Sequence, residues 1–220
     1  ELAELDLLLT DAFFKLAGHL ERGKVDPSRL KSPWDISRKP TRIESVALLQ
    51  QALEQGEVRR PLEQLYPNFS IYKRGREVIR SLQEKSKVDS LDWKAIKVDK
   101  SIKVNDSHAA IPALRERLIF WGYLKAAEFS DSKVYDSVLY ESVKAFQARN
   151  GMEPDGAIGK NTAASLNASP RNLMDKAAVN LERLRWLPDT IKEFDVVLVN
   201  IANYQLDFIQ KLDTVFSSKV

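Results

Sequence analysis

The stretch NGMEPDGAIGKNTAASLN, residues 150–167, decides the local fold, because it combines a turn, a short extended segment and the start of a helix. Its glycines stand where a chain that reverses between helices needs a positive φ or a close backbone approach; they are Gly151, Gly156 and Gly159. Asp155 with the following glycine predicts a tight turn, and we expect Ile158 in the core. Asn161 or Thr162 is expected to cap the next helix. The stretch therefore predicts a structural device, with the last glycine allowing the backbone to pass closely.

Two helices are predicted immediately upstream of this stretch. The first begins at Pro112, since proline suits the first position of a helix, and it ends at Gly122. The second spans about Ser137 to Arg149 and has apolar residues at helical spacing. With the helix that follows the glycines, they predict a small three-helix domain over residues 111–168.

The first 87 residues predict a separate helical domain, 1–87. Apolar residues recur at helical spacing in its first helix: Leu2, Leu5, Leu9, Phe13, Leu16 and Leu20. The Thr-x-x-Glu pattern from Thr41 to Glu44 predicts a capping box for a second helix, which closes at Gly56. Two further helices are expected before residue 87.

The remaining segments change in character along the chain. Residues 88–110 predict a connector with one short strand pair, Ile96–Val98 and Ile102–Val104. Residues 169–190 predict a linker helix that Ser169 caps. The β-type runs in 191–220 predict the first strands of a third domain, since so few strands cannot be stable alone. We therefore expect a mainly α fold with a short C-terminal β segment, and further chain on both sides of these residues.

Composition limits the possible chemistry. There are 34 Lys and Arg against 31 Asp and Glu, so the net charge of +3 is small and gives no concentrated basic stripe for nucleic acid. The chain has no cysteine, which removes disulfides, thiolate nucleophiles and zinc–thiolate sites. His19 and His108 are far apart, so structural roles are favoured over metal binding. No run is long and apolar enough for a membrane span. We expect no cofactor and no metal.

Several motifs resemble the peptidoglycan-binding domain found in many cell-wall enzymes. They are PALRERL at 112–118, WGYL at 121–124, VKAFQ at 143–147, Asn150-Gly151, DGAIG at 155–159, Asn161-Thr162 and Leu166-Asn167. Met152 stands where the family usually has leucine, a swap that should preserve packing. The segment around 126–133 lacks the first Asp-Gly turn that the family often has. The resemblance implies a peptidoglycan ligand.

The flanking segments resemble the large L,D-transpeptidases of the YcbB type. The junction motifs are NLERLRWLP at 180–188, VNI at 199–201 and YQL at 204–206. LTDAF at 9–13, GKVDP at 23–27, LLQQAL at 48–53 and LEQLYP at 62–67 resemble the helical scaffold domain of that family. Such enzymes, the resemblance implies, use a cysteine in a Ser-x-Gly-Cys-x-Arg signature and an upstream His-Gly base to form a thioester. Neither motif occurs here, so we expect these residues to be non-catalytic and the full-length parent to be an acyltransferase.

A sugar–peptide ligand calls for an aromatic platform and a few fixed hydrogen-bonding groups. The candidates in the three-helix domain are Trp121, Tyr123, Tyr135, Tyr140, Gln147 and Arg149. Phe146 continues the apolar stripe of its helix and is favoured as a core residue. Asp155 and the three glycines are expected to shape the turn.

The sequence thus predicts the peptidoglycan-binding and scaffold portion of an enzyme that forms 3-3 cross-links in the bacterial cell wall. The expected location is the periplasm or cell envelope, with peptidoglycan and possible cell-wall synthesis proteins as partners and no nucleic acid. Two alternatives stay open. One is a protein-interaction scaffold without glycan affinity, and the other is a peptidoglycan hydrolase with an unrecognised carboxylate site.

Overall fold

The computed structural model describes residues 1–31, 39–40, 44–188, 195–200, 204–210 and 213–219. The α-helices among them are α1 (Leu2–Arg22), α2 (Ser45–Gln55), α3 (Arg59–Glu63), α4 (Ser70–Lys87), α5 (Ile111–Trp121), α6 (Ser137–Arg149), α7 (Lys160–Leu166) and α8 (Pro170–Trp186). The strands are β1 (Val196–Asn200), β2 (Gln205–Gln210) and β3 (Asp213–Lys219), joined antiparallel in the order β1-β2-β3. The protein is mainly helical with a short three-stranded sheet, which confirms the predicted fold class.

The chain divides into two compact units. Unit 1 contains Glu1–Arg80 and Asp175–Val220, and unit 2 contains Ser81–Met174. The chain therefore leaves unit 1 once, forms unit 2, and returns to unit 1. The domain limits drawn from the sequence stay predictions.

The core of the N-terminal part of unit 1 forms where α1 meets α2 and α3. Its buried side chains are Phe13, Ala17, Leu20, Leu48, Ala52, Leu62 and Leu65. Of the predicted stripe on α1, Phe13 and Leu20 are buried, whereas Leu2, Leu5, Leu9 and Leu16 are exposed. Helix α2 ends at Gly56, whose φ of 60° provides the expected left-handed cap. Thr41, the start of the predicted capping box, lies outside the described residues.

Helices α4 and α8 pack through a second cluster in unit 1. Phe69, Tyr72 and Leu181 are buried there. The helices meet closely at Gly75, where an added Cβ would lie 2.7 Å from Leu181 Cδ2. Arg185 Nε donates to the Tyr72 hydroxyl at 3.0 Å, and burial raises the pKa of Tyr72. The helix that the sequence predicts as a linker thus contributes core residues to unit 1.

One face of the sheet carries a row of apolar side chains. The register places Val197 beside Phe208, and Phe208 beside Phe216, on the same face. Val197 and Phe216 are more than half exposed. On the opposite face Asp207 accepts hydrogen bonds from Ser217 and Gln205, which lower the pKa of its carboxyl.

Unit 2 is built on α5, α6 and α7, the three predicted helices. The residues with no exposed surface in its core are Ile111, Leu114, Leu118, Tyr135, Leu139, Val143, Ile158 and Leu166. Val98 and Ile102 belong to the same core, so the segment predicted as a connector helps to build the unit. Ile102 bridges antiparallel to Ile158, not to Ile96–Val98, so the predicted strand pair is wrong. The partner of Ile102 comes from the glycine-rich stretch.

A buried arginine, Arg117, holds the part of the predicted connector that begins at Lys94. Arg117 is 2% exposed and donates through its guanidinium to the backbone carbonyls of Lys94 and Leu166 and to Asn167 Oδ1. Asn167 in turn pairs with the backbone of Ile96 in both directions, at 2.9 and 3.0 Å. Burial lowers the pKa of Arg117, but the carbonyl groups supply partners for its charge. The segment from Lys94 is thereby held against α5 and the C-terminal end of α7.

Candidate functional site

Gln147 organises the turn that follows α6. Its side chain is 2% exposed. The Nε2 amide donates to Asp155 Oδ1 at 2.9 Å and to the Ala157 carbonyl at 3.0 Å. It also lies 3.2 Å from Thr162 Oγ1, while Oε1 accepts from the Gly156 amide at 2.8 Å. One side chain therefore ties the C-terminal half of α6 to both sides of the turn and to α7.

Two tyrosines contact the same turn at Gly156. Tyr135 is fully buried and donates its hydroxyl to the Gly156 carbonyl at 2.6 Å. Burial strongly raises the pKa of the Tyr135 phenol. The ring of Tyr140 lies so close to Gly156 that an added Cβ would be 2.1 Å from Tyr140 Cε2. Since Gly156 also has a φ of +71°, both the backbone conformation and the space require glycine.

The other two glycines of the stretch have different roles. Gly151 follows α6 with a φ of +70°, as a helix-ending glycine should. Gly159 has a φ of −89° and meets no atom within 4 Å of an added Cβ, so the expected close backbone approach is wrong. It is itself the N-cap of α7, without a side-chain cap. The expected cap from Asn161 or Thr162 is therefore also wrong, because Thr162 Oγ1 bonds with Gln147 and Ala157.

An open groove of about 510 Å³ lies beside this turn. It is lined by Ser101, Gln147, Gly151, Met152, Glu153, Asp155, Ala157, Gly159, Lys160, Asn161 and Thr162. Glu153, Asp155 and Lys160 are exposed in it and give it charges of both signs. Its lining contains no aromatic side chain. The groove can therefore offer ionic and hydrogen-bonding contacts on a surface of small residues.

The six residues predicted to bind ligand are spread over unit 2. Gln147 lines the groove, although its polar atoms already bond within the protein. Tyr135 has no exposed surface, and the ring of Tyr140 packs on Gly156. Both side chains therefore contact the turn beside the groove and do not line the groove itself. Tyr123 packs edge to face on Phe146, with ring centroids 5.3 Å apart. Their contact with ligand stays a prediction.

Trp121 and Arg149 lie outside the lining of this groove. Trp121 belongs to an aromatic cluster, in which its ring centroid is 5.0 Å from that of Phe120 and 6.1 Å from that of Trp93. A second, largely apolar groove of about 360 Å³ adjoins this cluster. Its lining includes Leu91, Ile119, Phe120 and Phe129. Arg149 is exposed at the last position of α6.

Sequence reasoning missed the charged rim of the first groove. Glu153 and Lys160 flank the glycine-rich turn, but they look like ordinary exposed charges in the sequence. A usable signal was their position, because a tight turn brings residues on its two sides together. The structure adds that both line one concave surface.

The described residues provide no obvious metal centre. No group of three or more His, Cys, Asp or Glu side chains among them could hold a metal ion. His108 Nδ1 accepts from the Ala110 amide at 3.1 Å, just before α5, which is a structural contact. None of the helices among the described residues is both long and apolar enough to cross a membrane.

Comparison with known families gives two matches. Residues 1–78 match a family described as a scaffold domain, and residues 107–166 match one described as a peptidoglycan binding domain. The second match contains α5, α6, α7 and every residue that lines the groove beside the turn except Ser101. A comparison with curated proteins found no match. A peptidoglycan-binding domain next to a scaffold domain supports a peptidoglycan-binding scaffold role and suggests a location associated with the cell wall.

Proposed function

We propose that the chain is the peptidoglycan-docking and scaffold portion of an L,D-transpeptidase of the YcbB type, located in the periplasm. The observation that carries the docking role is the open, charged groove whose charged residues all lie in the region that matches a peptidoglycan binding domain. The order of the two matched regions, followed by an antiparallel sheet, fits the architecture of that enzyme type. In this proposal the transpeptidase chemistry, a 3-3 cross-linking acyl transfer, belongs to the parent enzyme.

The proposed contribution of these residues is positional. A domain docked on peptidoglycan raises the effective concentration of stem peptides at an adjoining active site, without forming a new catalytic contact. Individual contacts of an exposed, charged groove are weak, so we propose that the high local density of stem peptides in the wall keeps the groove occupied by rapid rebinding. Because these residues include no cysteine for a thiolate nucleophile, we propose that they do not catalyse the transfer themselves.

The docking role is tested by sedimentation with purified sacculi. The chain is expected to pellet with them above the level of an unrelated protein. Gly159→Leu should reduce the pelleted fraction at least severalfold, because its side chain would enter the groove from a backbone that accepts any residue. The matched control is Ala145→Leu, which adds the same bulk at an exposed position of α6 outside the groove. Equal retention of the two variants, or none with the wild type, contradicts the proposal.

A protein-interaction scaffold is the second candidate, and the exposed leucines of α1 favour it. Leu2, Leu7, Leu8 and Leu9 are each more than 60% exposed, which is unusual for adjacent turns of one helix. Failure to sediment with sacculi would favour this candidate. Muropeptides released from sacculi by the chain would instead favour the hydrolase alternative.

A further inference from the structure

We infer that the groove beside the Asp155-Gly156 turn binds the stem peptide of peptidoglycan and not its sugar backbone. The inference rests on the proposed docking function and deepens it by naming the part of the ligand that is recognised. Three features of the groove carry it: its charges, its lack of aromatic side chains and its small lining residues.

The groove presents two side chains of opposite charge, Glu153 and Lys160, that have no partner among the described residues. Glu153 and Lys160 are exposed, and neither side chain makes a hydrogen bond or ion pair with another described residue. Asp155 uses Oδ1 to accept from Gln147 and from the Ala157 amide, at 2.9 and 2.8 Å. A stem peptide carries carboxylates and a free amine, so it complements both the ammonium and the carboxylates of the groove. The uncharged hydroxyl and acetamido groups of a sugar chain would leave this pattern unmatched.

The aromatic side chains near the turn are engaged in packing. Tyr135 is buried, Tyr140 covers Gly156, and Tyr123 packs edge to face on Phe146. None of them lines the groove. A flat aromatic face is the usual surface for the apolar side of a ring ligand, because it buries much area at fixed geometry. This groove therefore lacks the feature that a sugar ring would use.

Small residues leave room for a peptide backbone. Gly151, Ala157 and Gly159 form part of the lining, and no atom lies within 4 Å of a Cβ built on either glycine. Asn161 is exposed beside them and can donate and accept hydrogen bonds. An extended peptide can thus approach the main chain of the groove closely while its charged groups reach Glu153 and Lys160.

The test is a titration of the full chain with two probes, followed by nuclear magnetic resonance or calorimetry. One probe is a free stem tetrapeptide containing a diamino acid, and the other is glycan chains stripped of peptide, with the lactyl carboxylates that stripping exposes blocked as neutral amides. We expect the peptide to bind and the stripped glycan not to bind. Lys160→Gln should weaken peptide binding about fivefold, the effect of losing one exposed ion pair at the upper end of its usual range. The control Lys133→Gln removes an exposed lysine outside the groove and should leave affinity unchanged.

The outcomes distinguish a failure of stem-peptide recognition from a failure of peptidoglycan docking. Binding of stripped glycan without binding of the peptide overturns the inference but keeps the docking function. The inference is also overturned if the chain sediments with sacculi but the stem peptide binds wild type and Lys160→Gln with equal affinity. If the chain neither sediments with sacculi nor binds either probe, both the inference and the proposed function fail. Peptide binding that weakens as salt rises is the further result that an ionic contact predicts.

Discussion

Gly156 is the residue on which the geometry of the candidate site depends most. Its positive φ reverses the chain, its amide and carbonyl bond with Gln147 and Tyr135, and the ring of Tyr140 fills the space where a side chain would stand. The two other glycines of the stretch have open space around them. Three glycines that look alike in the sequence therefore differ: backbone and space both require Gly156, the backbone alone favours Gly151, and neither requires Gly159.

Substituting these glycines by alanine should separate backbone strain from steric overlap. Gly156→Ala should lower the free energy of unfolding by about 2–4 kcal/mol, because a positive φ and a clash with Tyr140 act together. Gly151→Ala should lower it by about 1 kcal/mol, since only the positive φ opposes it. Gly159→Ala should change it by less than about 0.5 kcal/mol. Urea denaturation measures all three, and equal losses would contradict this account of the turn.

The sequence predicted the turn but not the roles of the polar and aromatic residues around it. The role of a glycine in a turn can be predicted from sequence, because few other residues accept a positive φ. By contrast, Gln147, Tyr135 and Tyr140 are amphipathic, and the same side chain can face a ligand or satisfy the backbone of a buried turn. Only the long-range contact of α6 with the turn decides between these roles, so sequence spacing alone could not assign them.

At the scale of elements, the ends of α6 were predictable, whereas the cap of α7 and the long-range pairing were not. Helix α6 spans Ser137–Arg149. Its start follows from Asp136, whose carboxylate accepts a hydrogen bond from the Leu139 amide, and its end follows from Gly151, which has a positive φ. Local signals of this kind lie within a few residues of the feature that they determine. The bridge between Ile102 and Ile158 has no such signal, because its two residues are far apart in the chain.

The contact between the end of α1 and α8 offers a test at the same scale. Gly23 has φ 85° and ψ 156°, and an added Cβ would lie 2.6 Å from Glu182 Oε1 and 2.7 Å from Trp186 Nε1. Gly23→Ala should therefore lower the free energy of unfolding of unit 1 by about 2–4 kcal/mol. Thermal and urea denaturation of the full chain measure the change.

Gly18→Ala is the matched control on the same helix. Gly18 lies within α1, and its added Cβ would contact only the flexible end of Arg22, at 3.4 Å. Alanine should be neutral there or more stable than glycine by up to about 1 kcal/mol, because it restricts the unfolded chain and favours helix. A loss from Gly18→Ala as large as that from Gly23→Ala would refute the proposed contact between α1 and α8.

At the scale of the whole molecule, unit 2 is an insertion in the chain of unit 1. Residues up to Arg80 and from Asp175 belong to unit 1, and the peptidoglycan-binding region lies between them. The order of units was visible in the sequence as changes of pattern. The return of the chain was not visible, because α8 is joined to unit 1 by contacts such as Gly75 with Leu181.

The central claim is that peptidoglycan docks at the groove beside the Asp155-Gly156 turn. The most direct measurement is chemical-shift mapping of the isotope-labelled chain during titration with soluble muropeptides. The account predicts shifts centred on the amides of Gly151, Gly159 and Lys160, with the indole N–H of Trp121 unchanged. Shifts centred on Trp121, or no shifts at millimolar muropeptide, would contradict it.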